Sequence, residues 1–107
     1  MSGSTRREGL LPGTETIQDT DVAEPKLYRV LLLNDDYTTM EFVVIILMEV
    51  FRKTGDEATA IMLAVHKRGR GQCGVYPLEV AETKVAEVHR RAREANFPLR
   101  CTLEEAS

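Results

Sequence analysis

At 107 residues the chain has room for one modest hydrophobic core and no second domain. Its 43% hydrophobic content is that of a globular protein, and 6% aromatic residues without Trp offer no carbohydrate or base-stacking platform. The formal charge of −3 resides entirely in residues 1–25, where Arg6 and Arg7 stand against Glu8, Glu15, Asp19, Asp21 and Glu24, so residues 26–107 are neutral and have no net attraction for nucleic acid or an anionic membrane.

Cys73 and Cys101 make neither a CxxC pair nor a disulfide framework. No charged segment followed by an apolar one opens the chain, and the longest apolar run, Phe42 to Met48, is too short to span a bilayer. The expectation is a reduced, soluble, cytoplasmic domain.

Residues 1–25, rich in Ser, Thr, Gly, Pro and acid with no apolar period, read as a flexible N-terminal extension closed by Pro25. Residues 26–107 follow as the core domain. Leu27 to Leu33 (LYRVLLL) reads as a strand, apolar on both sides near its end. Thr38 and Glu41 have capping-box spacing and open a helix to about Lys53, stopped at Gly55. This helix is apolar almost all round, so it must bury more than one side or expose a patch.

Asp56 is positioned to cap a second helix, Glu57 to about Arg68, which the glycines of GRG (Gly69 to Gly71) end. Gln72 to Tyr76 alternates as a short strand. A third helix spans about Glu79 to Asn96, with Val80, Thr83, Val88 and Ala92 inward, and Pro98 breaks it. Leu99, Cys101 and Leu103 alternate with polar residues as a half-buried strand. The order β-α-α-β-α-β predicts an α+β sandwich, a three-stranded antiparallel sheet covered by three helices.

Chemistry concentrates at Asn34-Asp35-Asp36, directly after the apolar first strand. Carboxylates at a strand end hold magnesium in phosphotransfer sites, but no second acidic or Lys cluster follows the later strands. One Asp alone could serve the strand-to-helix turn through an Asx bond. His66, Met62 and Val65 share one helical face. A zinc site would recruit His66, His89, Cys73 and Cys101, which lack metal-ligand spacing. Cys73 sits in a strand pattern as a small buried hydrophobe rather than a nucleophile paired with His66. Arg90, Arg91 and Arg93 are interleaved with Glu87 and Glu94, as on a solvated, salt-bridged face; Lys67, Arg68 and Arg70 flank the glycine turn and remain open as a contact patch.

With those residues in view, the sequence resembles the ClpS family of proteolytic adaptors. The resemblance is carried by LYRVLLLNDDYTTMEFV (Leu27 to Val43), ATAIMLAVHKRG (Ala58 to Gly69), CGVY (Cys73 to Tyr76), EVAETKV (Glu79 to Val85) and FPLRCTLE (Phe97 to Glu104). It implies a domain without catalysis, metal or cofactor that binds N-degrons, substrates beginning with Leu, Phe, Tyr or Trp. It also implies delivery of these substrates to an AAA+ unfoldase of the ClpA type for proteolysis by ClpP. Carried residue by residue, Asn34, Asp35 and His66 would surround the substrate's α-amino group, and Asp36 and Thr38 its first peptide units. Met40, Val43, Met62, Val65 and Leu99 would line the side-chain pocket, and Glu79 and Lys84 would meet the unfoldase. The chain departs from the family at Thr39, where Pro is usual, and at Ile45 and Met48, which replace more polar residues.

Overall fold

The computed structural model describes residues 25–106. The expected flexible extension therefore lies, apart from Pro25, outside the described residues. Six elements follow in the predicted order: β1 (Leu27–Leu33), α1 (Met40–Glu49), α2 (Gly55–Arg68), β2 (Arg70–Pro77), α3 (Leu78–Glu94) and β3 (Arg100–Ala106). The apolar β1 is the central strand, antiparallel to β2 on one side and β3 on the other. Its alternation sorts the two faces. Val30 and Leu32 join the core beneath the helices, while Arg29 and Leu31 point into an outer groove with Arg70 and Gln72.

The core is built from Val30 and Leu32 of the sheet, Val43, Ile46 and Leu47 of α1, Ala58 and Val65 of α2, and Ala81, Val88 and Ala92 of α3. Val50, Phe51, Cys73, Leu99 and Cys101 complete it. Burial of this kind stabilises by about 25 cal/mol per Å² of apolar surface. The near-uniform hydrophobicity of α1 leaves an exposed patch, the second of the two expected outcomes. Val43, Ile46 and Leu47 are buried, and Ile45 and Met48 remain 43% exposed on the opposite side.

Several local expectations are corrected. Helix α1 is capped by Thr39, whose hydroxyl accepts the Phe42 N–H at 3.1 Å, and not by Thr38, whose hydroxyl is turned to Asp35. It ends at Glu49 rather than near Lys53, with Val50 as the C-cap, and Arg52 takes a positive φ of 56° in the link to α2. The cap of α2 is Thr54, not Asp56. Its hydroxyl accepts from Glu57 N while the Glu57 carboxylate accepts from Thr54 N, a reciprocal box that starts the helix two residues early.

In α3 the inward residues are Ala81, Val88 and Ala92; Val80 and Thr83 are exposed. Val88 and Ala92 are inward as expected, Ala81 takes the inward place expected of Val80, and Pro77, with φ near −58°, precedes the helix. The helix stops before Pro98. Asn96 takes a left-handed φ of 62°, and Asn96 N and Phe97 N donate to the Arg93 and Ala92 carbonyls, a Schellman ending built on Asn. That ending delivers Phe97 against Phe42, ring centroids 4.9 Å apart, and Leu99 into the core.

Candidate functional site

Beyond Leu33 the chain leaves the sheet, and the Asp35 carboxylate organises the turn. One oxygen accepts the Tyr37 and Thr38 N–H groups at 2.8 and 2.7 Å, and the other accepts the Thr38 hydroxyl at 2.7 Å. Burial is the largest single influence on this carboxyl and raises its pKa. The bonds from the Thr38 hydroxyl and the Thr38 and Tyr37 amides oppose it together and hold the group below the usual Asp value. Asp35 is thus an Asx-turn residue, and the loop it shapes places Met40 at the start of α1.

The second side of the site comes from α2. Gly69 ends that helix with a left-handed φ of 87° and donates its N–H to the Val65 carbonyl. Its own carbonyl accepts the Asn34 N–H at 2.9 Å. This bond ties the end of β1 to the end of α2 and sets the last turn of α2, with Met62, Val65 and His66, opposite the Asp35 loop.

Between them lies a cleft of 270 Å³. Its floor is apolar, with Val43 and Val65 only 6% and 3% exposed; Met62 is half-buried, and Met40, 46% exposed, stands at the rim. Its mouth is polar, formed by Asn34, Asp35, Asp36, Thr38 and His66. The side chains of Asn34, Asp36 and His66 have no hydrogen-bond partner among the described residues. The site therefore presents free acceptors over a greasy floor, suited to a ligand with a cationic head and one large apolar group.

Nine of the ten expected ligand residues thus line one cleft. The tenth, Leu99, is 4% exposed within the core and does not line it. Glu79 and Lys84 lie elsewhere, in a 530 Å³ groove between the end of α1 and the start of α3 shared with Arg52 and Arg91. There Lys84 is already engaged. Its Nζ donates to the Val50 carbonyl at 2.7 Å and stands 5.9 and 5.5 Å from the Phe51 and Tyr76 ring centroids.

The alternatives raised by the sequence meet different geometry. Both Asp35 oxygens are occupied within the turn, and among the described residues no three His, Cys, Asp or Glu side chains come together as a metal group. Cys73 and Cys101 are buried thiols; desolvation pushes Cys101 up to about 12 and Cys73 higher still, so neither presents a thiolate to the cleft. His89 accepts the Cys101 N–H at 3.0 Å through Nε2. Arg90 and Arg91 pair with Glu87, Glu94 and Glu49 on an ion-paired face of α3. The scaffold role of two glycines goes beyond the helix stop that the sequence marked. Gly69 joins the two walls, and Gly71 packs so tightly that an added Cβ would lie 2.7 Å from Val65 Cγ2.

The fold and site are those of a small α+β domain whose cleft joins a polar mouth to an apolar floor. The sequence profile described as "ATP-dependent Clp protease adaptor protein ClpS" matches residues 23–102. The ATP-dependent Clp protease adapter ClpS of Nitratidesulfovibrio vulgaris (Miyazaki F) is 70% identical over 92 residues, covering 86% of this chain and 92% of that one. The ClpS adapter of Lawsonia intracellularis is 60% identical over 91 residues, 85% of this chain and 84% of that one. Agrobacterium tumefaciens ClpS2 bound to L-phenylalaninamide superposes with a TM-score of 0.75 at 43% identity, covering 78% of this chain and 100% of that one. The chain belongs to the ClpS family, adaptors of the ATP-dependent Clp protease. Among its described residues no helix is long and apolar enough to cross a membrane.

Proposed function

We propose that the cleft receives the free N-terminus of proteins whose first residue is Leu, Phe, Tyr or Trp, and that the domain delivers them to a ClpA-type unfoldase of the Clp protease. The observation that carries this reading is the convergence in one cleft of Asn34, Asp36 and His66, unpartnered among the described residues, above the buried Val43 and Val65. An α-amino group has a pKa of about 7.7–8.0 and is largely cationic at neutral pH. Asn34 and Asp35, with an imidazole nitrogen of His66, accept hydrogen bonds from it, each charge-assisted bond contributing about 1.5–3 kcal/mol. Asp35 has about four lone-pair sites and commits three to its turn, so one remains for the ligand. Asp36 and Thr38 flank the first peptide units.

Burying the first side chain between Met40, Val43, Met62 and Val65 adds about 1.5–3 kcal/mol. After ordering costs an affinity of about −8 kcal/mol, micromolar in Kd, results. Met40 at the rim crowds a β-branched first residue and admits Leu or a flat ring. The likeness to a relative bound to L-phenylalaninamide supports the reading, since that ligand joins an α-amine to one large side chain with no free carboxylate. Leu99, the remaining expected pocket residue, is buried in the core outside the residues that border the cleft.

A peptide series differing only in its first residue and in α-amine acetylation tests the site. Leu, Phe, Tyr and Trp peptides bind with micromolar Kd by fluorescence anisotropy, and acetylation or a first Ile removes nearly all binding. Equal binding of the acetylated peptide overturns the proposal. For delivery, Glu79 and Lys84 would meet the unfoldase and residues 1–25 would take part in hand-off. Removing residues 1–20 leaves peptide affinity unchanged and abolishes accelerated degradation; unchanged degradation refutes the hand-off role.

A further inference from the structure

The face of the sheet opposite the helices carries a cluster that N-terminal recognition does not use. Arg29, Arg68, Arg70 and Glu104 border a groove of 550 Å³ over Leu31 and Gln72. Strand register adds Arg100, opposite Leu33, and Thr102, opposite Leu31, to the same face. Four guanidinium groups and one carboxylate thus stand on this face. Glu104 accepts from Arg29 at 3.0 Å and Arg70 at 3.5 Å, while Arg68 and Arg100 have no ion-pair partner among the described residues. Leu31 is 3% exposed, already covered by the side chains around it, so what this face presents is chiefly its guanidinium groups.

The chain supplies a matching polyanion. Residues 15–24 (ETIQDTDVAE) hold Glu15, Asp19, Asp21 and Glu24 with no basic residue, whereas residues 26–107 are neutral overall. They join the domain at the Leu27 end of β1, beside Arg29, and Arg70 lies across from Leu33 at the other end. That is about 20 Å along a seven-residue strand, and nine extended residues reach about 30 Å. An extended segment turning back at Pro25 and Lys26 would run its four acids along the arginines. We infer that residues 15–24 dock in an extended form on the outer face of the sheet, held by Arg29, Arg68, Arg70 and Arg100.

This docking is independent of whether the cleft takes N-termini. It sets the reach of the segment from the domain, and a competing acidic surface releases it. The buried Cys73 and Cys101 leave an introduced surface thiol as the reactive one, so the full chain carrying Thr20→Cys can be spin-labelled at a single position. At about 10 mM salt, where screening extends about 30 Å, the label should reduce the Gln72 and Thr102 amide signals to less than half of the diamagnetic reference. At about 1 M salt, where screening extends about 3 Å, the signals should return.

Arg68→Glu with Arg70→Glu should abolish the effect, as should Asp19→Asn with Asp21→Asn, which leaves the domain untouched. Full signal at low salt overturns the inference, as does persistence of the effect in the Asp19→Asn, Asp21→Asn chain. Broadening centred on Leu78 and Val80 instead of the sheet face overturns it too. Broadening seen only between labelled and isotope-enriched molecules in a mixture assigns the face to a second copy and equally overturns it.

Discussion

The Lys84 ammonium donates a 2.7 Å hydrogen bond to the Val50 carbonyl, so α3 caps the C-terminus of α1 across the core. A cation at the negative end of a helix, bounded by the Phe51 and Tyr76 rings, stabilises both the helix end and the junction. Lys84→Ala should lower stability by about 1–2 kcal/mol and Tm by about 4–8 °C per kcal/mol. Glu79→Ala, at an exposed position in the same groove, should leave Tm within about 1 °C because it removes no packing. Thermal unfolding followed by circular dichroism separates the two, and equal Tm values would show that the Lys84 cap does not stabilise. A lost unfoldase interaction in Lys84→Ala alone therefore does not by itself identify a contact, whereas the same loss in Glu79→Ala does.

Asp35 connects the turn to acid sensitivity. Its folded pKa lies below the ordinary Asp value, so its stabilisation is complete above that value and disappears as pH falls through the lower folded one. Asp35→Asn removes this charge while keeping the shape of an Asx turn. The Tm difference between the parent chain and Asp35→Asn should be constant from about pH 7 to 5 and shrink towards zero below about pH 3. A difference that persists at low pH would mean the charge contributes nothing through this linkage.

Gly71 faces α2 with no room for a side chain. A Cβ there would meet Val65 Cγ2 at 2.7 Å and the Ile61 carbonyl at 3.1 Å, and the latter cannot rotate away. Gly71→Ala should destabilise by about 1–3 kcal/mol through overpacking. Since Val65 forms the cleft floor, the same substitution should weaken binding of a Leu-initiated peptide several-fold. Urea unfolding and anisotropy on the same sample measure both effects; an unchanged Kd would uncouple the β2–α2 contact from the site.

His89 covers a backbone group that the sheet leaves unpaired. Strand β3 lies at an edge, and its Cys101 N–H donates to His89 Nε2 at 3.0 Å. An edge amide without a partner is open to water or to another strand. His89→Ala should cost about 1–2 kcal/mol and speed exchange of the Cys101 amide at least tenfold relative to its β3 neighbours, as read by hydrogen exchange. Unaltered protection at Cys101 would count against His89 as its partner.

Element order and type were legible in the sequence because apolar periodicity reports them directly. LYRVLLL had to be a buried strand, and the motifs around Asn34 and His66 brought the family resemblance with them. Helix ends were less legible. Thr38 and Thr39 are adjacent and either could cap α1; the choice fell to Thr39 because Asp35 engages the Thr38 hydroxyl. Thr54 and Asp56 posed the same ambiguity, and the Glu57 carboxylate resolved it towards Thr54. Asn96 ends α3 in a left-handed conformation that composition alone does not separate from the Pro98 break.

For the site, side-chain types and helical spacing determined the candidate set, since a strand running into Asn34, Asp35 and Asp36 must turn its polar groups to the surface. What only the tertiary structure decided was their division of labour. The Asn34 to Gly69 hydrogen bond closes a separation of 35 residues and sets His66 across from the Asp35 loop, while Leu99 is buried in the core outside the residues that border the cleft. Periodicity names the face a residue occupies within its own element. Which faces meet is determined by packing between elements, and no spacing along the chain records that.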